Sequence, residues 1–104
     1  MPISLSNLDT TAGNIYVSAG NSAITFLSLC NHSVANVVAN VYVVPAGDTA
    51  GTDNIVLSEL EISSQDTYQF YVGGEKLLLA NGDAIMANAG SSGAITTVTS
   101  FTPV

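Results

Sequence analysis

The chain has 104 residues, 47% of them apolar, a length and composition that suit one domain around one buried core. Eight carboxylates stand against a single Lys or Arg, Lys76, for a formal net charge of −7; phosphate backbones and anionic lipid are held chiefly by Lys and Arg, so this balance argues against nucleic acid and membrane surfaces as partners. Charged residues are only 9% of the chain, against about 25% in ordinary soluble domains, which leaves a surface of Ser, Thr, Asn, Gly and small apolar groups suited to packing against protein.

Apolar and polar residues alternate with period two in short blocks split by Gly, Asn and Asp, the pattern of half-buried β-strands. Ile3 and Leu5 alternate with Ser4 and Ser6, and a loop over residues 7–13 leads to a second strand at residues 15–17. Residues 22–31 form the clearest long strand. Strict alternation puts Ile24, Phe26, Ser28 and Cys30 on one face and Thr25, Leu27 and Leu29 on the other. Both faces are largely apolar, as expected of a central strand or one covered by a neighbouring subunit.

After the Asn31-His32-Ser33 turn, residues 34–45 place Val37, Ala39, Val41 and Val43 together, with Val38, Asn40, Tyr42 and Val44 opposite. The β-branched density rejects a helix, and Pro45 ends the ladder by removing a donor. Residues 46–54 are the longest turn-rich stretch, an exposed loop whose Asp48 and Asp53 make it the best local candidate for a functional tip. Residues 55–62 alternate out of phase, so a bulge or short break near Ser58 is expected.

Residues 67–72 set Tyr68 and Phe70 against Gln69 and Tyr71 before Gly73-Gly74 closes the strand. A short strand over Leu77–Leu79, a tight turn at Asn81-Gly82-Asp83 and a returning strand over residues 84–89 follow. The Gly90-Ser91-Ser92-Gly93 turn precedes a Thr-rich strand over residues 94–102 that ends at Pro103. So many short strands leave no room for a crossover helix. The expected fold is an all-β antiparallel sandwich of about eight strands, jelly-roll-like or immunoglobulin-like, in one domain over residues 1–104. No internal repeat points to a propeller or solenoid.

Candidate chemistry is thin. His32 and Ser33 are adjacent, and neighbouring side chains in extended chain point apart, so the expectation is structural turn residues rather than a nucleophile and its base. Cys30 has no second cysteine to pair with and lies in an apolar run; it is expected to be a buried small hydrophobe, its thiol unactivated. Asn31-His32-Ser33 matches a glycosylation acceptor, a pattern with meaning only in a secreted eukaryotic chain.

Asp48, Asp53 and Asn54 could offer oxygens to a hard cation but lack the spacing of an EF-hand loop. Glu59 and Glu61 are expected to face solvent or a basic partner on another chain. Tyr16, Tyr42, Tyr68 and Tyr71 are expected to pack their rings and wet their hydroxyls. No catalytic, metal or cofactor set is therefore expected, and the chain reads as a non-enzyme. The candidate contact loops are Asp48, Thr49, Asp53 and Asn54, and Gly73, Gly74, Glu75 and Lys76. Residues 1–6 lack the basic and apolar regions of a signal peptide, and no window approaches about 18 apolar residues, so a cytosol-like compartment is expected.

Three stretches carry a resemblance: Ile24-Thr25-Phe26-Leu27-Ser28-Leu29-Cys30-Asn31, then Val41-Tyr42-Val43-Val44-Pro45-Ala46-Gly47, then Lys76-Leu77-Leu78-Leu79-Ala80-Asn81-Gly82-Asp83-Ala84-Ile85. Over about residues 15–101 the chain resembles small virion structural proteins of tailed bacteriophages in rhythm and composition. The resemblance implies a β-sandwich at a repeated position on the particle, assembled in the bacterial cytoplasm, with no functional residues defined by the motifs. The leading expectation is a capsid decoration or cement subunit acting as a homo-oligomer, a trimer, against the major capsid protein. The alternatives are a tail or baseplate adaptor and a host-surface glycan- or protein-binding module.

Overall fold

The computed structural model describes residues 3–70 and 77–104, save the side chain of Phe70. Within them the alternating blocks become nine strands: β1 (Ile3–Asn7), β2 (Gly13–Val17), β3 (Ser22–Asn31), β4 (Val37–Val44), β5 (Ile55–Ile62), β6 (Thr67–Phe70), β7 (Leu77–Leu79), β8 (Ala84–Ala89) and β9 (Ile95–Pro103). Every pairing between them is antiparallel. One sheet runs β1-β9-β3-β6, and the other runs β2-β8-β4-β5. The short β7 pairs with Ser22, Ala23 and Ile24 of β3, on the edge that β6 occupies further along at Leu27 to Cys30.

The pairing is nested. β4 joins β5, β3 joins β6, β2 joins β8 and β1 joins β9, as if one long hairpin had been rolled over itself. That order is the jelly roll, and it decides between the two sandwich types expected from the sequence. Among the described residues no helix is long and apolar enough to cross a membrane.

One core lies between the sheets. Ile24, Leu27 and Leu29 of β3 and Ile95 of β9 are fully buried on the first sheet, and Val37, Ala39 and Val41 of β4 with Ile85, Ala87 and Ala89 of β8 line the second. Large side chains on one sheet and several alanines on the other let the layers approach closely. Tyr16 stacks its ring 4.3 Å from that of Phe101, and its hydroxyl bonds Ser22 Oγ at 2.8 Å, so an aromatic body is buried with its polar tip satisfied.

Irregularities of register set which residues face the core, those in β3 and β5 among them. In β3, Ile24 pairs with Phe101 and Phe26 with Ser100, which leaves Thr25 as an extra residue. This bulge corrects the strict alternation expected over residues 22–31: Ile24 joins Leu27 and Leu29 inside, while Phe26, Ser28 and Cys30 stay on the outer face. Cys30 is accordingly half-buried and unbonded rather than a core residue. In β5, Ala39 pairs with Leu60 and Val41 with Leu57, so Ser58 and Glu59 together oppose Asn40. The bulge expected near Ser58 is present. Glu59 adopts φ +52°, its N–H donates to Asn40 Oδ1 at 2.7 Å, and the shift returns Leu57, Leu60 and Ile62 to the inner side.

Candidate functional site

The loops fall at two ends of the sandwich. At one end, residues 18–21, 45–54 and 80–83 are knitted together around Asp83. Its Oδ1 accepts the Ala46 N–H and its Oδ2 accepts the Ala80 N–H, each at 2.9 Å, while its backbone carbonyl accepts the Ser18 N–H at 2.8 Å. The Gly20 N–H donates to Asn81 Oδ1 at 2.8 Å, which ties the first loop to the third. Gly82 has φ +87°, and a Cβ there would lie 3.0 Å from Ala46 Cβ. Gly82→Ala is therefore expected to lower stability by about 1–2 kcal/mol, through left-handed strain and a displaced neighbouring loop, as read from the denaturant midpoint.

Asp48, Thr49 and Asp53 are exposed on the 45–54 loop, as expected. Asn54 has a different role. Its Oδ1 accepts the Gly51 N–H at 3.0 Å, its Nδ2 donates to the Thr49 carbonyl at 2.9 Å, and its own carbonyl accepts the Val43 N–H at 2.9 Å. The Asn54 oxygens thus close the loop instead of facing a ligand. Asp48 Oδ1 accepts the Thr49 N–H at 2.9 Å. Among the described residues no group of three or more His, Cys, Asp or Glu side chains converges. The second candidate loop, Gly73, Gly74, Glu75 and Lys76, lies outside the described residues.

The opposite end is organised by Asn31. The Ser33 hydroxyl donates to Asn31 Oδ1 at 2.7 Å, and Ser64 Oγ donates to the Ser33 carbonyl at 2.7 Å, so Ser33 is a turn residue. His32 beside it is exposed. Asp9, in the 8–12 loop, accepts the Thr10 N–H at 2.8 Å; that bond first, and a Ser92 hydroxyl second, hold its carboxyl below the ordinary value. Glu59 and Glu61 are both exposed on the edge strand β5.

Among the described residues neither loop end assembles a reactive constellation. Two shallow depressions, about 390 Å³ beside Leu78 and Val104 and about 190 Å³ between Asn7 and Ile15, are open to solvent. The extended feature is instead the outer face of the β1-β9-β3-β6 sheet. The register runs in rows across it: Ile3, Ser100 and Phe26; Leu5, Val98, Ser28 and Gln69; Asn7, Thr96, Cys30 and Thr67; Thr102, Ala23 and Leu78. Those rows contain no charged residue. Ile3 is 57%, Leu5 65% and Leu78 70% exposed, an unusual display of large apolar groups along one sheet. Sequence reading placed Phe26 and Cys30 on one apolar face but missed the surface, because its rows join β1, β9, β3, β6 and β7 through register. The alternation of Ile3 and Leu5 with Ser4 and Ser6 is the local signal.

Comparison with protein-family models, with curated proteins and with solved structures found no match to this chain.

Proposed function

We propose that the chain is a non-enzymatic structural subunit of a bacteriophage particle, a capsid decoration or cement protein that reinforces the head shell by protein–protein contact. The observation that carries this reading is the outer face of the β1-β9-β3-β6 sheet, whose rows of described residues hold no charge and whose exposed Ile3, Leu5 and Leu78 call for a protein cover. The jelly roll recurs in capsid proteins, which agrees with the reading by analogy of fold alone. The three stretches that resemble small virion proteins supply β3, the β4 end with its loop, and the β7-turn-β8 hairpin. On a shell, many identical weak contacts sum to firm attachment.

The test is to add the purified protein to heads stripped of their surface proteins and to follow DNA release on heating or osmotic shock. Reinforced heads are the expected result. A protein that leaves heads unchanged but stays on isolated tails would assign it to the tail or baseplate, and binding to host cells or glycan arrays without a particle would assign it to receptor recognition.

A further inference from the structure

The chain's one Asn-Gly pair, Asn81-Gly82, lies where three loops meet. A glycine after asparagine leaves the side-chain amide open to attack from the main chain, because no Cβ shields the glycine nitrogen. We infer that Asn81 is a latent modification site, convertible to aspartate and isoaspartate without an enzyme, and that the closed loop end holds the conversion back.

The chemistry needs only water besides the chain. The Gly82 nitrogen loses its proton to solvent base and attacks Asn81 Cγ. The new bond closes a five-membered succinimide as the Cγ–Nδ2 bond breaks and ammonia leaves. Water then opens the ring at either carbonyl. One opening gives an aspartate at position 81; the other gives isoaspartate, in which the main chain runs through the former side chain and is one carbon longer. Both add a carboxylate to the eight already present.

The folded geometry opposes the first step in three ways. The attacking nitrogen is occupied, since the Gly82 N–H donates to the Ser18 carbonyl at 2.9 Å and gives up its proton only when that bond opens. The carboxamide is held, since Asn81 Oδ1 accepts the Gly20 N–H at 2.8 Å. The backbone angle is also wrong. The Asp83 N–H donates to the Ala80 carbonyl at 3.1 Å and Gly82 has φ +87°, a type II turn with Asn81 as its second residue. In that turn the second residue has ψ of about +120°, which leaves the Gly82 nitrogen about a third of a turn away from the position eclipsing Asn81 Cβ that ring closure requires. Asn81 is itself exposed, so base and water reach it once the turn lets go. Asp83 keeps the turn closed, through its carboxylate bonds to the Ala46 and Ala80 N–H groups.

The experiment incubates the full chain at mildly alkaline pH, folded and in guanidinium chloride, and reads conversion at each asparagine by peptide mapping, with hydrogen exchange of the Gly82 amide followed in parallel. The unfolded chain is expected to convert at Asn81 faster than at its other asparagines. The folded chain is expected to convert there at least about tenfold more slowly. Asp83→Ala leaves both reacting residues in place and is expected to raise the folded-state rate several-fold, with Gly82 exchange raised by the same factor. Asp83→Asn keeps one acceptor and is expected to fall between the two; it serves in place of the alanine variant if that chain does not fold. The isoaspartate form purified from aged protein is expected to unfold at a lower denaturant midpoint, because the longer main chain draws Gly82 away from Ser18.

A folded chain that converts as fast as the unfolded one, or that converts while the Gly82 amide stays protected, overturns the restraint. An unfolded chain in which Asn81 converts no faster than the other asparagines overturns the site.

Discussion

Asn31→Ala is expected to lower the unfolding free energy by about 3 kcal/mol, seen as a lower denaturant midpoint at unchanged slope. Asn31 is fully buried at the end of β3. Its Nδ2 donates to the Ala35 carbonyl at 2.8 Å and the Ile62 carbonyl at 2.9 Å, and its Oδ1 accepts from the Ser33 N–H at 3.0 Å and the Ser33 hydroxyl at 2.7 Å. One amide therefore fastens the β3–β4 turn in place and joins the first sheet to the last residue of β5 in the second. Truncation removes all four bonds, although the Ser33 hydroxyl can still donate to the Ala35 carbonyl at 3.0 Å. Water can reach those in the turn, but the Ile62 bond is buried, and an unpaired buried group costs about 1–3 kcal/mol. Asn31→Asp keeps the acceptor and sets oxygen against two carbonyls, so its loss is expected to equal or exceed that of Ala. A loss below about 1 kcal/mol for both variants would remove Asn31 from this role.

Leu27→Ala is expected to cost about 3–5 kcal/mol, close to the whole stability of a small domain. Leu27 is 0% exposed in the central strand of its sheet, between β9 and β6, so little around it can collapse into the space a methyl leaves. The comparison with its neighbour is the sharper measurement. Phe26 is the larger side chain but lies half-buried on the outer face, and Phe26→Ala is expected to cost about 1–2 kcal/mol in the separated chain. Ile24→Ala is expected to behave like Leu27→Ala, since the Thr25 bulge turns both inward. If Phe26 proved the costlier truncation and Ile24 the cheaper, the bulge would be misplaced.

What the sequence disclosed follows from the range of each signal. The strand over Val37–Val44 is legible because β-branched residues at every second position can serve only a pleated, buried surface. The β5 irregularity is legible too, because a period broken between Leu57 and Leu60 calls for a bulge or a short break there, and the structure has the bulge. The β3 bulge is silent: residues 22–31 are apolar at both phases, so removing one residue from the count changes the inner set without leaving a polar residue on the wrong side.

The inward positions of Thr97 and Thr99, both 0% exposed, are equally hidden in a Thr-rich run, where either phase looks alike. Asn54 reads as a loop residue with an oxygen to offer a cation, and Asp83 as part of a tight turn. Their neighbours show that Asn54 is spent on the backbone of its own loop, at Gly51 and Thr49, while Asp83 reaches Ala46 far away in the chain, and no local pattern encodes that distant partner. The uncharged sheet face needed the register of five strands before it existed as a surface.

The rolled arrangement of the strands also orders the chain by entropy. β4 and β5 meet across a single connecting loop, whereas Ile3 finds Ser100 only when nearly the full length has been gathered back on itself. Closing so long a circuit takes more chain freedom than any other pairing in the molecule and returns five residues of ladder. β1 is thus the strand whose pairing costs the most chain freedom, and it carries Ile3 and Leu5 at the rim of the bare face. A second molecule seated there would clamp the seam that the single chain closes least cheaply.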